Sequence, residues 1–184
     1  MKRHFIYSAI LAAAILLTVG VTTSVASPDD SDARVRFSRR NLGGPRLGVT
    51  FVPSGSRLAE HLDGNKMGRQ LSQFGWHFEY QVIPDGGGPQ FVVQLTPLIA
   101  GVEYGKVIPG ATMAMGIRFP SGYEFGIGPN VTGGTGETSP TSLVIGVGKS
   151  INYGGVSVPL NLVCATNPDG TRLSFIIGYA IDRR

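Results

Sequence analysis

Charge is scarce in this 184-residue chain: Asp, Glu, Lys and Arg make up 15% of it, against about 25% in an average soluble domain. Cysteine is scarcer still. Cys164 stands alone, so neither a disulfide scaffold nor a paired-cysteine metal site is possible. The formal charge of +4 is too modest to point to nucleic acid. No metal-ligand spacing occurs, and no cofactor is implied: Gly126-Ile127-Gly128 lacks the strand–glycine loop–helix setting of a nucleotide site. Helical spacing after residue 44 is confined to Leu58-Ala59-Glu60-His61-Leu62. What the chain has in quantity is glycine, 27 residues, and apolar side chains, 42%. The glycines have no Gly-X-Y period, which excludes collagen, and the apolar content excludes intrinsic disorder.

The first 26 residues read as an export signal. Lys2 and Arg3 precede an uninterrupted apolar core, Phe5 to Leu17, and Ser24-Val25-Ala26 puts small residues at the −3 and −1 positions of a cleavage site. The run is short for a membrane-spanning helix, which needs about 20 residues. Cleavage removes only two basic residues and leaves 14 basic and 12 acidic ones. Residues 27–44 (SPDDSDARVRFSRRNLGG) are polar, without period, and are expected to form a flexible periplasmic tail. Residues 45–184 then form a single domain.

That domain alternates with period two in eight stretches: 46–52, 73–83, 90–100, 107–119, 123–131, 142–152, 156–165 and 171–182. Between them, short connections (Asp85-Gly86-Gly87-Gly88, Pro120-Ser121-Gly122, Tyr153-Gly154-Gly155) alternate with mostly longer ones (53–72, 101–106, 132–141 and the compact 167–170). An antiparallel meander with an even strand count gives this pattern when one barrel end keeps the tight turns. Pro97 and Pro159 fall inside stretches. Proline donates no ladder bond, so there the chain bulges, the strands are shorter, or the barrel is not closed.

Alternation alone does not say which face is inside. The polar face is rich in glycine (Gly48, Gly75, Gly110, Gly116, Gly126, Gly128, Gly146, Gly148, Gly178). A solvent face gains nothing from glycine, which weakens strands, whereas a narrow eight-stranded interior needs small residues beside a few long ones. The apolar face carries almost no charge, Lys149 excepted. Such an exterior aggregates in water but suits hydrocarbon. Tyr80, Phe91, Phe119, Tyr123, Tyr153 and Tyr179 fall near the tight-turn end, and Phe51, Phe74 and Trp76 near the other, as two interfacial girdles would. The expected fold is therefore all-β: an eight-stranded antiparallel up-and-down transmembrane β-barrel.

The inward charges need partners in a low-dielectric interior. Arg118 faces Glu124 across the Pro120-Ser121-Gly122 turn, Arg46 and Glu79 lie on neighbouring strands, and Gln81 pairs with Gln94 across the glycine turn. Arg46, Glu79, Arg118, Glu124 and Arg172 are expected to form an interior ion-pair network of structural character, with His77, Gln81 and Gln94 as further interior polar groups. His77 shares a face with Glu79, but no serine is placed to complete a catalytic set, so no catalytic residue is assigned.

An export signal, eight amphipathic strands, a glycine-rich interior and a charged plug resemble the small outer-membrane β-barrels of the OmpA/OmpX type. GIRFPSGYEFGIGPNV (116–131) and GVGKSINYGGVSVPLNL (146–162) look like hairpins of exported bacterial barrel proteins of unassigned role. The resemblance implies a diderm bacterial host and residence in the outer membrane. It also implies contact with outer-membrane lipids and the barrel-assembly machinery, no nucleic acid, and a structural or adhesive role with a possible extracellular ligand at loops 53–72 and 132–141. Two alternatives stay open. One is an exported soluble lipocalin-like carrier in the periplasm, its apolar face lining a cavity for an amphiphile. The other is an outer-membrane lipid-modifying enzyme using His77.

Overall fold

The computed structural model describes residues 37–133, 138–153 and 156–183. The export signal, residues 27–36 of the expected tail, 134–137 of the long loop and Gly154-Gly155 lie outside them.

Among the described residues the strands are β1 (Phe37–Phe51), β2 (Gln70–Pro84), β3 (Gln90–Ala100), β4 (Ile108–Arg118), β5 (Tyr123–Thr132), β6 (Thr141–Tyr153), β7 (Val156–Asn167) and β8 (Gly170–Gly178), the last resuming at Ile181–Arg183. The resumed segment keeps the same register against β1, with Arg46 opposite Gly178 and Gly43 opposite Ile181, so it belongs to one eighth strand. Each strand pairs antiparallel with the next, and β1 pairs with both β2 and β8, which closes the barrel. One helix, α1 (Arg57–Gly64), lies in the first loop. Ser56 caps it by accepting the Ala59 N–H at 3.1 Å, as its residue type favours.

Closure has a measurable stagger. The hydrogen-bonded partners of Arg40 run round the barrel through Gln81, Val92, Gly116, Gly126, Gly146, Val163 and Ser174, and return to β1 at Thr50, ten residues further on. A stagger of this kind obliges the strands to tilt by about 40°.

The expected tail gives way at Phe37. Residues 37–44 are the first half of β1 and pair with 77–84 of β2. Ser38, Arg39, Arg40 and Asn41 have no alternation, but a ladder is made by backbone groups and tolerates any side chain that has room outside.

Neither strand proline opens the barrel or causes a bulge. Pro97 pairs normally with Ala111 of β4, while the β2–β3 ladder passes from Gly75–Leu98 to Phe78–Leu95 without the rungs between and without changing register. Pro159 likewise pairs with Ser150 of β6, and β7–β8 pairing skips from Leu160–Ile177 to Ser157–Ala180. Pro45 and Pro129 follow the same pattern on β1 and β5. A residue in an antiparallel strand directs its N–H to one neighbour only, so each proline weakens one ladder locally and leaves the other intact. Glycine accompanies two of these gaps. A Cβ at Gly44 would overlap the Tyr179 carbonyl oxygen, and one at Gly128 that of Met113; only glycine lets the backbones approach so closely.

Candidate functional site

The polarity of the barrel is inverted relative to a soluble one. Leu47, Phe74, Trp76, Phe78, Phe91, Leu95, Met113, Met115, Phe125, Ile145, Leu162 and Phe175 point outward and are exposed. Both sets of aromatics expected at the two ends are among the exposed residues as well. Lys149, a charge among the apolar residues of this face, folds down: Nζ donates to the Ser121 carbonyl at 2.6 Å and lies 3.9 Å from the centre of the Tyr123 ring. That is a snorkelling lysine at the tight-turn end. An uncharged apolar belt outside a polar filling is the surface of a transmembrane β-barrel.

The interior divides into two halves. The half nearer the tight turns is a polar plug centred on Glu79, whose side chain is 1% exposed. Arg118 reaches Glu79 with both terminal nitrogens, Nη2 at 2.8 Å from Oε2 and Nη1 bonded to Oε1. The same guanidinium bonds Glu124, with Nε 3.0 Å from Oε2. Gln94 donates to Glu79 at 3.0 Å, and Gln81 donates to its other oxygen. Asn161 completes the shell of Glu124. His77 joins through Nε2, 3.0 Å from Glu79 Oε2, with Nδ1 2.9 Å from Thr96 Oγ1.

Glycine makes room for these groups. A Cβ at Gly148 would strike Asn161 and Glu124, and one at Gly178 would strike the Arg46 guanidinium. At these two positions the narrow interior has no room for a side chain beside the long polar ones.

Three expected pairings differ in the structure. Arg46 lies opposite Gly75, four residues along β1 from Leu42, the partner of Glu79. It therefore makes no ion pair with Glu79; its Nη1 donates to the Pro45 and Tyr179 carbonyls at 3.3 Å each. It still balances Glu79 and Glu124 at longer range. Gln81 does not pair with Gln94, because the register places it opposite Val92; the two glutamines meet only at Glu79. Arg172 stands apart from the network, near the long-loop end of β8. Its Nη2 donates to Asn130 Oδ1 at 3.1 Å and Ser142 Oγ at 2.8 Å, and its Nη1 to Thr132 Oγ1 at 3.2 Å; among the described residues no carboxylate pairs with it.

Thr96, His77 and Glu79 form a hydroxyl–imidazole–carboxylate chain, and sequence reasoning missed Thr96 as the hydroxyl. Through Glu79 the three belong to the plug, and none of them lines either of the two interior cavities described below.

The half nearer the long loops was not foreseen. It holds a cavity of about 460 Å³. Its lining is mostly apolar, with Leu71, Leu98, Ile108, Val144, Val163 and Ile176 pointing inward beside the polar Thr50, Gln73, Thr112, Asn130, Arg172 and Ser174. The signal was present as apolar doublets (Leu98-Ile99, Val144-Ile145, Ile176-Ile177), in which one residue faces out and its neighbour in. Helix α1 roofs this cavity. Ala59 and Leu62 bury against Val52, Met67 and Leu71, with Leu58, Tyr104 and Ile108 alongside. Asp169, in the β7–β8 turn, ties the roof together: its carboxylate accepts the Ser139 N–H at 2.5 Å and pairs with Arg57 at 3.4 Å, while its carbonyl accepts the Leu58 N–H at 3.0 Å. The first loop, which ends at residue 69 where β2 begins, is thus a folded cap. A smaller polar cavity of about 310 Å³, bordered by Arg40, Gln81, Arg118 and Ser150, lies at the tight-turn end. The plug stands between the two.

No protein-family model matches the chain, and no curated protein matches it in sequence. Among solved structures, it is similar to the Yersinia pestis outer membrane protein Ail in a phospholipid bilayer nanodisc, at 13% identity and a TM-score of 0.48, over 78% of this chain and 99% of that one. It is also similar to Ail, the attachment invasion locus protein of Yersinia pestis, in complex with the heparin analogue sucrose octasulfate, at 12% identity and a TM-score of 0.44, over 79% of this chain and 97% of that one.

Proposed function

We propose that the protein is an integral outer-membrane barrel of non-enzymatic, structural or surface-interaction role. In this reading residues 1–26 are removed on export, the tight turns face the periplasm and the capped end faces outside. The inverted polarity carries the reading: large apolar side chains cover the outside while Glu79, Arg118, His77 and Gln81 are buried within. Water gives no reason for such an arrangement, whereas hydrocarbon requires it. The Glu79–Arg118–Glu124 cluster acts as a structural plug that fixes β2, β4 and β5 to one another and keeps ions from passing. The cap formed by residues 53–69 with the β5–β6 and β7–β8 connections is the surface offered to the exterior.

Cell fractionation with gel mobility before and after boiling tests this. A membrane-bound protein whose mobility shifts on boiling supports the barrel. A protein found dispersed in the periplasm without detergent, with no shift, would restore the lipocalin-like carrier. That alternative needs the apolar face inside, and Leu47, Phe78 and Phe125 point outward.

A further inference from the structure

The cavity under the cap has a property the structural role does not use. Its lining carries Arg172, Lys106 and His61, and none of the described residues lining it is acidic. Arg172 uses three of its N–H groups on neutral oxygens, out of the five that a guanidinium offers. A cation held against an apolar cavity by neutral partners alone is poorly compensated. On the same wall Gln73 is 8% exposed, and its Nε2 has no hydrogen-bond partner. Arg172 and Gln73 thus bring two donors to the wall of a space whose lining is otherwise mostly apolar, with Leu98, Val144, Val163 and Ile176 beside Thr50, Thr112 and Ser174. At about 460 Å³ the space falls within the usual range of small-molecule sites, about 300–1,000 Å³.

We propose that this cavity binds a single acyl chain bearing an anionic head, the carboxylate held by Arg172 and the chain lying among the apolar side chains of β3, β6, β7 and β8. An anion supplies the counter-charge that the neutral partners of Arg172 do not, and Gln73, whose Nε2 has no partner, lines the same space. The chain replaces empty or poorly hydrated apolar volume, which is favourable in proportion to the area covered. Both a free fatty acid and the acyl chain of an anionic lipid have this chemistry.

The methionines separate binding in the cavity from partition into the bilayer. Met67 is buried on the cavity wall, whereas Met113 and Met115 face outward. In protein carrying ¹³C-methyl methionine, in zwitterionic phospholipid nanodiscs, decanoate is expected to shift the Met67 methyl saturably. Arg172→Gln should weaken that titration at least tenfold, and decylamine should leave Met67 in place. Val163→Phe, which fills the cavity and leaves the cation alone, should abolish the shift while the Met113 and Met115 signals stay as in the parent. Repeating the titration with a nanodisc containing an anionic lipid and no decanoate tells a lipid chain from a free acid. Movement of Met113 and Met115 without Met67 would mean partition only and would overturn the proposal. So would decylamine binding as well as decanoate, or an Arg172→Gln titration equal to the parent's. Absence of lipid contacts at Met113 and Met115 would instead refute the membrane reading.

Discussion

Replacing Glu79 by Gln perturbs the plug at its centre without changing its shape. The carboxylate accepts five hydrogen bonds, two from Arg118 and one each from His77, Gln81 and Gln94. A glutamine has one acceptor oxygen and turns two donors toward donors. Breaking one side of a buried ion pair costs about 3–5 kcal/mol. Glu124 still shares Arg118, which places Glu79→Gln near the lower end, about 3 kcal/mol. Arg118→Gln leaves two carboxylates facing each other without their common cation and should cost more. The double substitution leaves Arg46 and Glu124 as a balanced pair, so the two losses should fall short of additivity by about 2–3 kcal/mol, the upper range for directly coupled residues. Reversible urea unfolding from phospholipid vesicles measures this, with the fluorescence of Trp76, the sole tryptophan, as reporter. A Glu79→Gln cost below about 1 kcal/mol, or strict additivity of the pair, would refute the plug as a coupled unit.

The remaining predictions concern backbone approach, sealing, the cap and export. Gly128→Ala should sharply reduce the yield of heat-modifiable barrel, because its Cβ would overlap the Met113 carbonyl oxygen; Gly126→Ala, with no contact closer than 3.7 Å, should not. In planar bilayers the purified protein should show no large stable openings, since the plug separates its two cavities; sustained large conductance would contradict that. Asp169→Ala removes the anchor shared by Arg57 and Ser139 and should make residues 53–69 susceptible to protease added to intact cells, at a stability cost of about 1–3 kcal/mol. Mass spectrometry of the mature protein should find Ser27 at its N-terminus.

The fold was largely legible because period two survives in nearly every strand, and glycine on the polar face fixed which side is inside. Arg118 opposite Glu124 was legible from the length of the 120–122 turn alone, and the register places the two residues opposite one another. What escaped depends on non-local register. Whether Arg46 or Leu42 faces Glu79 is set by how a fifteen-residue strand slides against its partner, and the sequence around 37–44 carries no period to show that the strand starts there. Arg172 looked like a plug member because it points inward, yet its height along the barrel is set by the stagger of the whole sheet. The upper cavity escaped for a different reason. Apolar doublets such as Val144-Ile145 break the alternation, and a pattern sought with period two passes over the inward member of each. The rungs lost at Pro97 and Pro159 show the converse: a local rule against proline in strands holds for one ladder and leaves the closure of the sheet untouched.

The claim on which everything else depends is that the apolar face meets lipid. Trp76 lies on that face among Phe74 and Phe78, and its being the only tryptophan makes its signal unambiguous. Quenching of its fluorescence in vesicles of brominated phospholipids measures contact with acyl chains directly. Strong quenching that depends on the depth of the bromine along the chain is the predicted result. A folded protein whose Trp76 is left unquenched by brominated chains at any depth would place the apolar face away from lipid and contradict the account.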